Sequence, residues 1–448
     1  MFCSTTTSSG KTLLTSATAK LLSDKGLRVV SAKVGPDFID PQYHEIATNH
    51  PCINLDAVLI SPKKITSLIS EFSTLADFLI IEGVMGLFDG TSLFPPAYRG
   101  IPFGSSAHLA ILTKTPVILV VDAAKKGHSV AAEINGFLKF NKEVPIKGII
   151  INNLSSATHE EIIKRSLEDI KELIIGYLYK DSQIKIQKRY LGLYAPKEDP
   201  RNFKQILNYA CHAFSTKLNL KKLIAIAKDA PQLVSGQPLK SVRTNESFRL
   251  AFCKSKAFSF YYQTTENIFK KLGAQICYID PLKDENLPDC TQGLYLPGGY
   301  PELYLAELSQ NKPLIKDITK HHQHGMPIWA ECGGLMYLSK KINKEKLASI
   351  LPVLIKKSPT LKVGYRIATT NKNSPLGKKG TYFFAHEHHY YEAVPSGKDI
   401  KVKGFNLTKN EGFLTNNIFA SFLHLELTDH VELAENFAKK ARSFTNGN

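Results

Sequence analysis

The sequence has no run of about 18 uncharged apolar residues, so no membrane-spanning helix is expected. It also has no C-x-x-C pair: the seven cysteines, at 3, 52, 211, 253, 277, 290 and 332, are odd in number and scattered. That pattern argues against a disulfide framework or structural zinc and fits a reducing cytoplasm. The N-terminus is hydroxyl-rich and lacks the basic flank and apolar core of a secretory signal. There is no internal repeat, no low-complexity tract and no basic stripe interleaved with aromatics, so nucleic-acid binding is not expected.

What is present is enough for two cores. A chain of 448 residues with 43% hydrophobic content exceeds what one core organises, so two domains of about 200 residues are expected. The formal charge of +17 is spread along the chain, which leaves three readings: nucleic-acid affinity, a Lys-rich compositional bias on solvated surface, or attraction of a small polyanionic substrate. Charge alone does not choose among them.

Continuous apolar runs at 26–34, 77–84, 116–123 and 146–153 read as strands covered on both faces of a parallel sheet. Amphipathic stretches such as 13–26 and 159–174 lie between them, so the first half is α/β. A polar, Pro/Gly/Ser-containing stretch, APQLVSGQPLKSVRTNE, marks a linker over 228–246. The domains are then 1–227 and 247–448. The second begins a new α/β series with runs at 248–254, 274–280, 293–299 and 326–334.

Within that second series, PIWAECGGLMYL (327–338) sets Cys332 between a short apolar strand and a glycine pair. A strand turning sharply into a helix there lifts the sulfur to the sheet edge, and the amides of Gly333 and Gly334 would favour thiolate. A lone free cysteine usually just packs. Two further pieces argue for a nucleophile instead. LYLPGGYPELY (294–304) supplies a second glycine pair, Gly298–Gly299, and SFLHLEL supplies His424 with Glu426 two residues on. A nucleophilic sulfur needs a base, an orienting group and backbone donors for the oxyanion. His424 is the expected base, Glu426 the expected orienter, and Gly298, Gly299 and Gly333 the expected oxyanion donors.

The first half opens with STTTSSGKTLL (4–14). A Ser/Gly turn ending Gly10-Lys11-Thr12 before a helix places backbone amides and a lysine around phosphates, with the Thr12 hydroxyl on magnesium. Thr5 stands where a standard phosphate-binding loop has its leading glycine. Glu82 closes an apolar run, as an acidic magnesium ligand should. KVGPDFIDPQYHE (33–45) packs Lys33, Asp37 and Asp40 onto one loop. Pro36 and Pro41 exclude a helix interior there, so both carboxylates project from a strand's carboxyl end. EGVMGLFDG (82–90) adds Asp89 in a Gly-bounded loop.

In this order, KVGPDFIDPQYHE, EGVMGLFDG, LPGGYPELY and AECGGLMYL resemble the cobyrinic acid a,c-diamide synthase family, the glutamine-dependent amidases of corrin biosynthesis. The resemblance runs from about residue 4 to about residue 440 and rests on these four motifs together. It implies an N-terminal ATP-binding domain similar to dethiobiotin synthetase, with a parallel sheet, and a C-terminal class I glutamine amidotransferase-like α/β domain. It also implies that glutamine is hydrolysed at Cys332 and that ATP phosphorylates a substrate acetate carboxylate, whose phosphate ammonia then displaces. Implied ligands are ATP, Mg2+, glutamine and a tetrapyrrole polycarboxylate, with a homodimer left open.

Position by position, Gly10, Lys11 and Thr12 match the phosphate turn, and Lys33 matches a lysine near the phosphates. Asp37, Asp40, Glu82 and Asp89 match acids associated with magnesium, the phosphorylated intermediate or substrate carboxylates, with Thr12, Asp40 and Glu82 as the implied magnesium set. Asn152 matches a base-contacting Asn, although Asn153 stands where the family often has Arg. Many relatives carry a second His where this chain has Glu426.

FAHEHHYYEA (384–393) invites a metal reading for His386, Glu387, His388 and His389, but strand alternation separates them across two faces. The segment is expected to be structural or to face the domain interface. Three functions remain: cobyrinate or hydrogenobyrinate a,c-diamide synthase, nickel-sirohydrochlorin a,c-diamide synthase, or a non-amidating P-loop partitioning or regulatory protein. Cys332 with His424 argues against the last. Cobyric acid synthase is disfavoured by the GPDFIDP run.

Overall fold

The computed structural model describes residues 1–98, 100–186, 188–189, 192–231 and 246–445. The chain divides into two compact units, Met1–Leu239 and Lys240–Asn448. Most of the expected linker, 232–245, lies outside the described residues.

The first unit alternates β1 (Phe2–Ser4), α1 (Lys11–Ser23), β2 (Val29–Val34), α2 (Asp40–Thr48), β3 (Cys52–Leu55), α3 (Pro62–Ser73), β4 (Phe78–Glu82), α4 (Ser106–Thr113), β5 (Val117–Asp122), α5 (Ser129–Phe140), β6 (Ile146–Leu154), α6 (Ala157–Ser166) and β7 (Ile174–Tyr179). These seven strands form one parallel sheet in the order β3-β2-β4-β1-β5-β6-β7. β2 is buried at every residue, and β5 at every residue but its last, as an all-parallel sheet with helices on its faces requires.

The amphipathic run 159–174 is not one helix. The chain leaves α geometry at Leu167 (φ −113°), passes through a 3-10 turn over Glu168–Leu173, and starts β7 at Ile174. A two-residue pair, β8 (Lys188–Arg189) with β9 (Gly192–Leu193), and helices α7 (Pro200–Ser215) and α8 (Leu220–Lys228) complete the unit. α7 buries Phe203, Leu207, Ala210, Cys211 and Phe214, one helical stripe that joins α1 in the core beside the sheet.

The second unit contains β10 (Phe248–Cys253), α9 (Gln263–Lys271), β11 (Ala274–Ile279), β12 (Gly293–Leu296), α10 (Leu305–Gln310), α11 (Lys312–Gln323), β13 (Ile328–Glu331) and α12 (Gly333–Leu338). There follow β14 (Lys341–Ile342), β15 (Glu345–Lys346), β16 (Leu354–Thr370), β17 (Tyr382–Val394), β18 (Ile400–Gly404), β19 (Leu407–Glu411), β20 (Phe413–Thr415), β21 (Ile418–Ser421) and α13 (Val431–Arg442). One sheet runs β11-β10-β12-β13-β21-β20, parallel except for β20. Its two faces carry separate cores: Leu294, Leu296, Ile328 and Ala330 point to one, Tyr295 and Trp329 to the other.

The α/β reading of this half was incomplete, because β14 to β19 build a second, mainly antiparallel sheet. Its long strands β16 and β17 carry alternating polar residues, and the second of them contains the His-rich segment. Among the described residues no helix is long and apolar enough to cross a membrane.

Candidate functional site

In the first unit, β2, β4 and β1 are consecutive neighbours, so the residues at their carboxyl ends meet. Lys33 on β2 pairs in register with Glu82, the last residue of β4, and Phe2 of β1 pairs with Glu82 from the other side. The turn after β1 enters α1 at Gly10, whose φ of +91° is left-handed, and a Cβ there would lie 2.5 Å from Asn152 Nδ2. Asn152 Nδ2 donates to the Ser9 carbonyl at 2.8 Å, so in this structure the expected base-contacting Asn braces the phosphate turn. Asn153, also left-handed at φ 61°, donates to Asp122.

Lys11 Nζ donates to Ser4 Oγ (2.8 Å) and to the Met85 carbonyl (2.6 Å). Burial, then the neighbouring Lys33, push its pKa down. Thr12 Oγ1 donates to Glu82 Oε1 at 2.8 Å. Lys33 Nζ lies 3.1 Å from Asp40 Oδ2 and 3.8 Å from Glu82 Oε1, and donates to the Gly83 carbonyl at 2.8 Å. Burial opposes the Lys33 charge, but Glu82, Asp40 and Asp37 outweigh it and hold the ammonium charged. Burial likewise opposes ionisation of Glu82, yet Lys33 and His44 bring it down to about 2. Asp40 moves the other way: burial, then Asp37 and Glu82, raise it well above the usual carboxylate range. Two carboxylates sharing one lysine do not both ionise freely.

Asp40 and Pro41 are not in an extended loop as expected. They form the first turn of α2, where proline lacks no needed donor. Asp37 turns its Oδ1 to the amides of Ile39 and Asp40, at 2.8 and 3.0 Å, and so holds that helix start. Asp89 is exposed and accepts from Gly86 N at 2.8 Å. Sequence reasoning assigned nothing to His44, which is fully buried with Nε2 2.7 Å from Glu82 Oε2 and Nδ1 3.0 Å from Ser16 Oγ. The available signal was its place four residues after Asp40, on the same face of α2.

In the second unit, β12, β13 and β21 are neighbours, and their carboxyl ends carry the Gly298–Gly299 turn, Cys332 and the segment with His424. Cys332 sits at φ 47°, ψ −102°, between β13 and α12, a strained turn that a non-glycine residue adopts only when its surroundings hold it there. A strand-to-helix elbow of this kind presents a nucleophile. Its amide donates to the Ser421 carbonyl at 2.7 Å.

The glycine turn touches both partners. A Cβ at Gly298 would lie 2.3 Å from His424 Cε1, and one at Gly333 would lie 3.0 Å from Gly299 N. Only glycine lets the imidazole approach so closely. The Gly298 amide, however, donates to the Phe260 carbonyl at 3.1 Å, because that bridge pins the turn. Gly298 is therefore corrected from oxyanion donor to spacer, leaving the amides of Gly299 and Gly333 as candidates.

The expected preference for thiolate is also corrected. Burial, then Glu302, push the Cys332 thiol up, and the Gly333 amide only partly offsets them. His424 is buried and pushed down to about 3 by that burial and then by His389 and His388. Burial thus pushes thiol and imidazole alike toward their uncharged forms.

Glu426 does not meet His424. Its carboxylate accepts from Thr264 Oγ1 (2.6 Å), Thr428 Oγ1 (2.7 Å) and Thr428 N (2.8 Å), and burial raises it to about 7. The acid at His424 is Glu331, with Oε2 3.8 Å from Nδ1. His386 from β17 pairs its backbone with His424 in both directions, at 3.1 and 2.8 Å, and stacks its ring there at 5.5 Å between centroids. The His-rich segment thus lines the Cys332 site. Glu387 is held instead by Arg366 and Lys409. Glu331 and His386 were both inside quoted motifs; an acid in an otherwise apolar strand was the missed signal for the first.

Residues 1–191 match a CobQ/CobB/MinD/ParA nucleotide binding domain, and residues 249–431 a CobB/CobQ-like glutamine amidotransferase domain. A curated protein of Dehalococcoides mccartyi (strain CBDB1), named cobyrinate a,c-diamide synthase, is 35% identical over 98% of this chain and 96% of its own. Proteins of the same name from Caldanaerobacter subterraneus (33% identity, 99% of this chain, 98% of that protein) and Listeria monocytogenes serovar 1/2a (35%, 95% and 95%) match similarly. With one matched domain in each unit and relatives aligned along nearly the whole length, the chain belongs to the cobyrinate a,c-diamide synthase family and is a glutamine-dependent, amide-forming ligase.

Proposed function

We propose that this chain amidates the a and c acetate carboxylates of cobyrinic acid or hydrogenobyrinic acid, using ATP and glutamine. Residues 1–227 act as the ATP-binding amidoligase domain and 247–448 as the glutamine amidotransferase domain. The observation that carries the reading is the Cys332 turn: a strained cysteine whose following glycine and a buried imidazole both abut the Gly298–Gly299 turn, in a chain whose other unit gathers Lys11, Lys33, Asp40 and Glu82. Neither half alone accounts for both.

Cys332 Sγ attacks the side-chain carbonyl carbon of glutamine while its proton passes to His424. The oxyanion is taken by the Gly299 and Gly333 amides, the C–N bond breaks with His424 returning the proton to ammonia, and water releases glutamate from the thioester. In the other unit a substrate carboxylate oxygen attacks the γ-phosphorus of ATP, the bond to the β–γ bridging oxygen breaks and ADP leaves. Ammonia then attacks the acyl carbon and phosphate leaves. Lys11 and Lys33 hold phosphate charge, and Asp37, Asp40, Glu82 and Asp89 serve the magnesium and carboxylate end of the site.

Thr12, Asp40 and Glu82 offer an all-oxygen donor set, with Thr12 Oγ1 already 2.8 Å from Glu82 Oε1, and that set suits Mg2+. An ion held by these residues would neutralise charge on the phosphates. The excess positive charge of the chain suits a polycarboxylate substrate.

The deciding experiment supplies purified protein with Mg-ATP, glutamine and cobyrinic acid, with hydrogenobyrinic acid and nickel-sirohydrochlorin in parallel. Mass spectrometry should show two successive carboxyl-to-amide conversions of a corrin acid. Conversion of nickel-sirohydrochlorin alone would move the assignment to that tetrapyrrole, and no product with either glutamine or ammonia would overturn it.

A further inference from the structure

We propose that Glu331, rather than Glu426, is the positioning residue that orients His424 for proton transfer from Cys332. This rests on the reading of Cys332 and His424 as the glutaminase pair. Glu426 is buried and fully engaged, because its two oxygens already accept from Thr264 Oγ1, Thr428 Oγ1 and Thr428 N. Glu331 is the last residue of β13 and immediately precedes the nucleophile, so one strand delivers the thiol and the acid together. β21, hydrogen-bonded to β13 with Glu331 opposite Ser421, delivers the base three residues later.

The geometry separates two jobs. Gly298 against the imidazole, the paired backbone of His386 and the stacked His386 ring fix where the His424 ring lies. None of them decides which ring nitrogen carries the proton. That needs an acceptor on one nitrogen, and Glu331 Oε2 stands 3.8 Å from Nδ1 while accepting from Leu425 N at 3.5 Å. The first separation is longer than a hydrogen bond, and a side-chain shift of about 1 Å closes it. Burial pushes Glu331 toward its uncharged form, and the imidazolium that forms as His424 takes the thiol proton favours its carboxylate; with Nδ1–H directed at Oε2, Nε2 is left unprotonated for that proton.

The test compares full-length Glu331→Gln, Glu331→Asp and Glu426→Gln with the parent and with Cys332→Ala. Glutamine hydrolysis and ammonia-driven amidation of cobyrinic acid are measured separately. The expected result for Glu331→Gln is a fall in glutaminase kcat of about 100-fold or more, with KM within about threefold and ammonia-driven turnover retained. Glu331→Asp, which keeps the carboxylate, should recover about tenfold of that loss, and Glu426→Gln should lose about tenfold or less.

A Glu331→Gln glutaminase rate within about threefold of the parent would overturn the proposal. So would a Glu426→Gln loss as large as that of Glu331→Gln, or equal losses of glutamine- and ammonia-driven turnover in Glu331→Gln, which would mark a general folding defect. A parent that hydrolyses no glutamine would remove the glutaminase reading itself, a result distinguishable from failure of the orienting role alone.

Discussion

In the first unit Lys33 and Glu82 share one buried cluster with Asp40 and His44, and there the Lys33 ammonium and the Glu82 carboxylate are held charged against burial. In the second, Cys332, His424 and Glu331 are equally buried, but each is pushed toward its uncharged form. The difference fits the chemistry proposed for each site. Phosphoryl transfer needs opposing charges already in place when the nucleotide arrives. A cysteine nucleophile needs only one proton moved to a neighbouring base, and burial favours the protonated thiol.

The contrast is most sharply broken at Cys332. Cys332→Ala should remove glutamine-driven turnover by about 10⁴-fold or more while ammonia-driven turnover survives. Assays with the two nitrogen donors check this, and loss of both activities would contradict two separate sites.

Glu82→Ala should act on the other side of the comparison. It lowers turnover with either donor by about 100-fold to 1000-fold. It also leaves Lys33 and His44 buried beside a missing partner, which costs about 3–5 kcal/mol of stability by denaturant titration. An effect on glutamine-driven turnover alone would place Glu82 in the wrong reaction.

The pH response should differ between units. Burial raises Glu331 to about 8 and Glu411 and Glu426 each to about 7, from 4.5. A carboxyl raised in the fold contributes fully below its unfolded value, and that contribution is lost as pH rises through the folded value. Between about pH 7 and 8, where unfolded histidines are mostly neutral, the second unit should weaken by about 1.4 kcal/mol per pH unit for each group still titrating. Glu82 is lowered to about 2, so its contribution is full above 4.5 and lost as pH falls through that window. Amide exchange over Ile328–Glu331 and Val29–Val34 reads the two units separately; rising protection in the former above about pH 7 would remove the contrast.

The smallest effect is expected at Cys290. Like Cys332 it has a left-handed φ, here 58°, but it is exposed and off the site. Cys290→Ser should change stability by no more than about 0.5 kcal/mol and leave both activities unchanged. A large effect would mean that exposure does not distinguish the two cysteines.

Much of the architecture was legible because buried parallel strands read as unbroken apolar runs. The four runs of the first half fall on β2, β4, β5 and β6. The antiparallel sheet of the second unit escaped notice, since β16 and β17 mix Lys, Tyr and His with apolar residues and show no continuous run. The helix expected over 159–174 failed for a related reason. Its 3.6-residue periodicity continues past Leu167, where the backbone does not.

Residue types and spacing by themselves pointed to two sites: a Ser/Gly turn ending Gly10-Lys11-Thr12 with acids after it, and a cysteine elbow with glycine pairs and a late histidine. Such signals survive in sequence because each depends on local backbone, a left-handed glycine or a sharp strand-to-helix turn. Which acid meets which base was decided only by tertiary structure. Glu426, close to His424 along the chain, is taken by Thr264 from a distant helix, while Glu331 reaches the imidazole because β13 and β21 lie side by side. Strand order, not chain distance, sets those contacts, and His44 behind Glu82 and His386 against His424 come from the same cause.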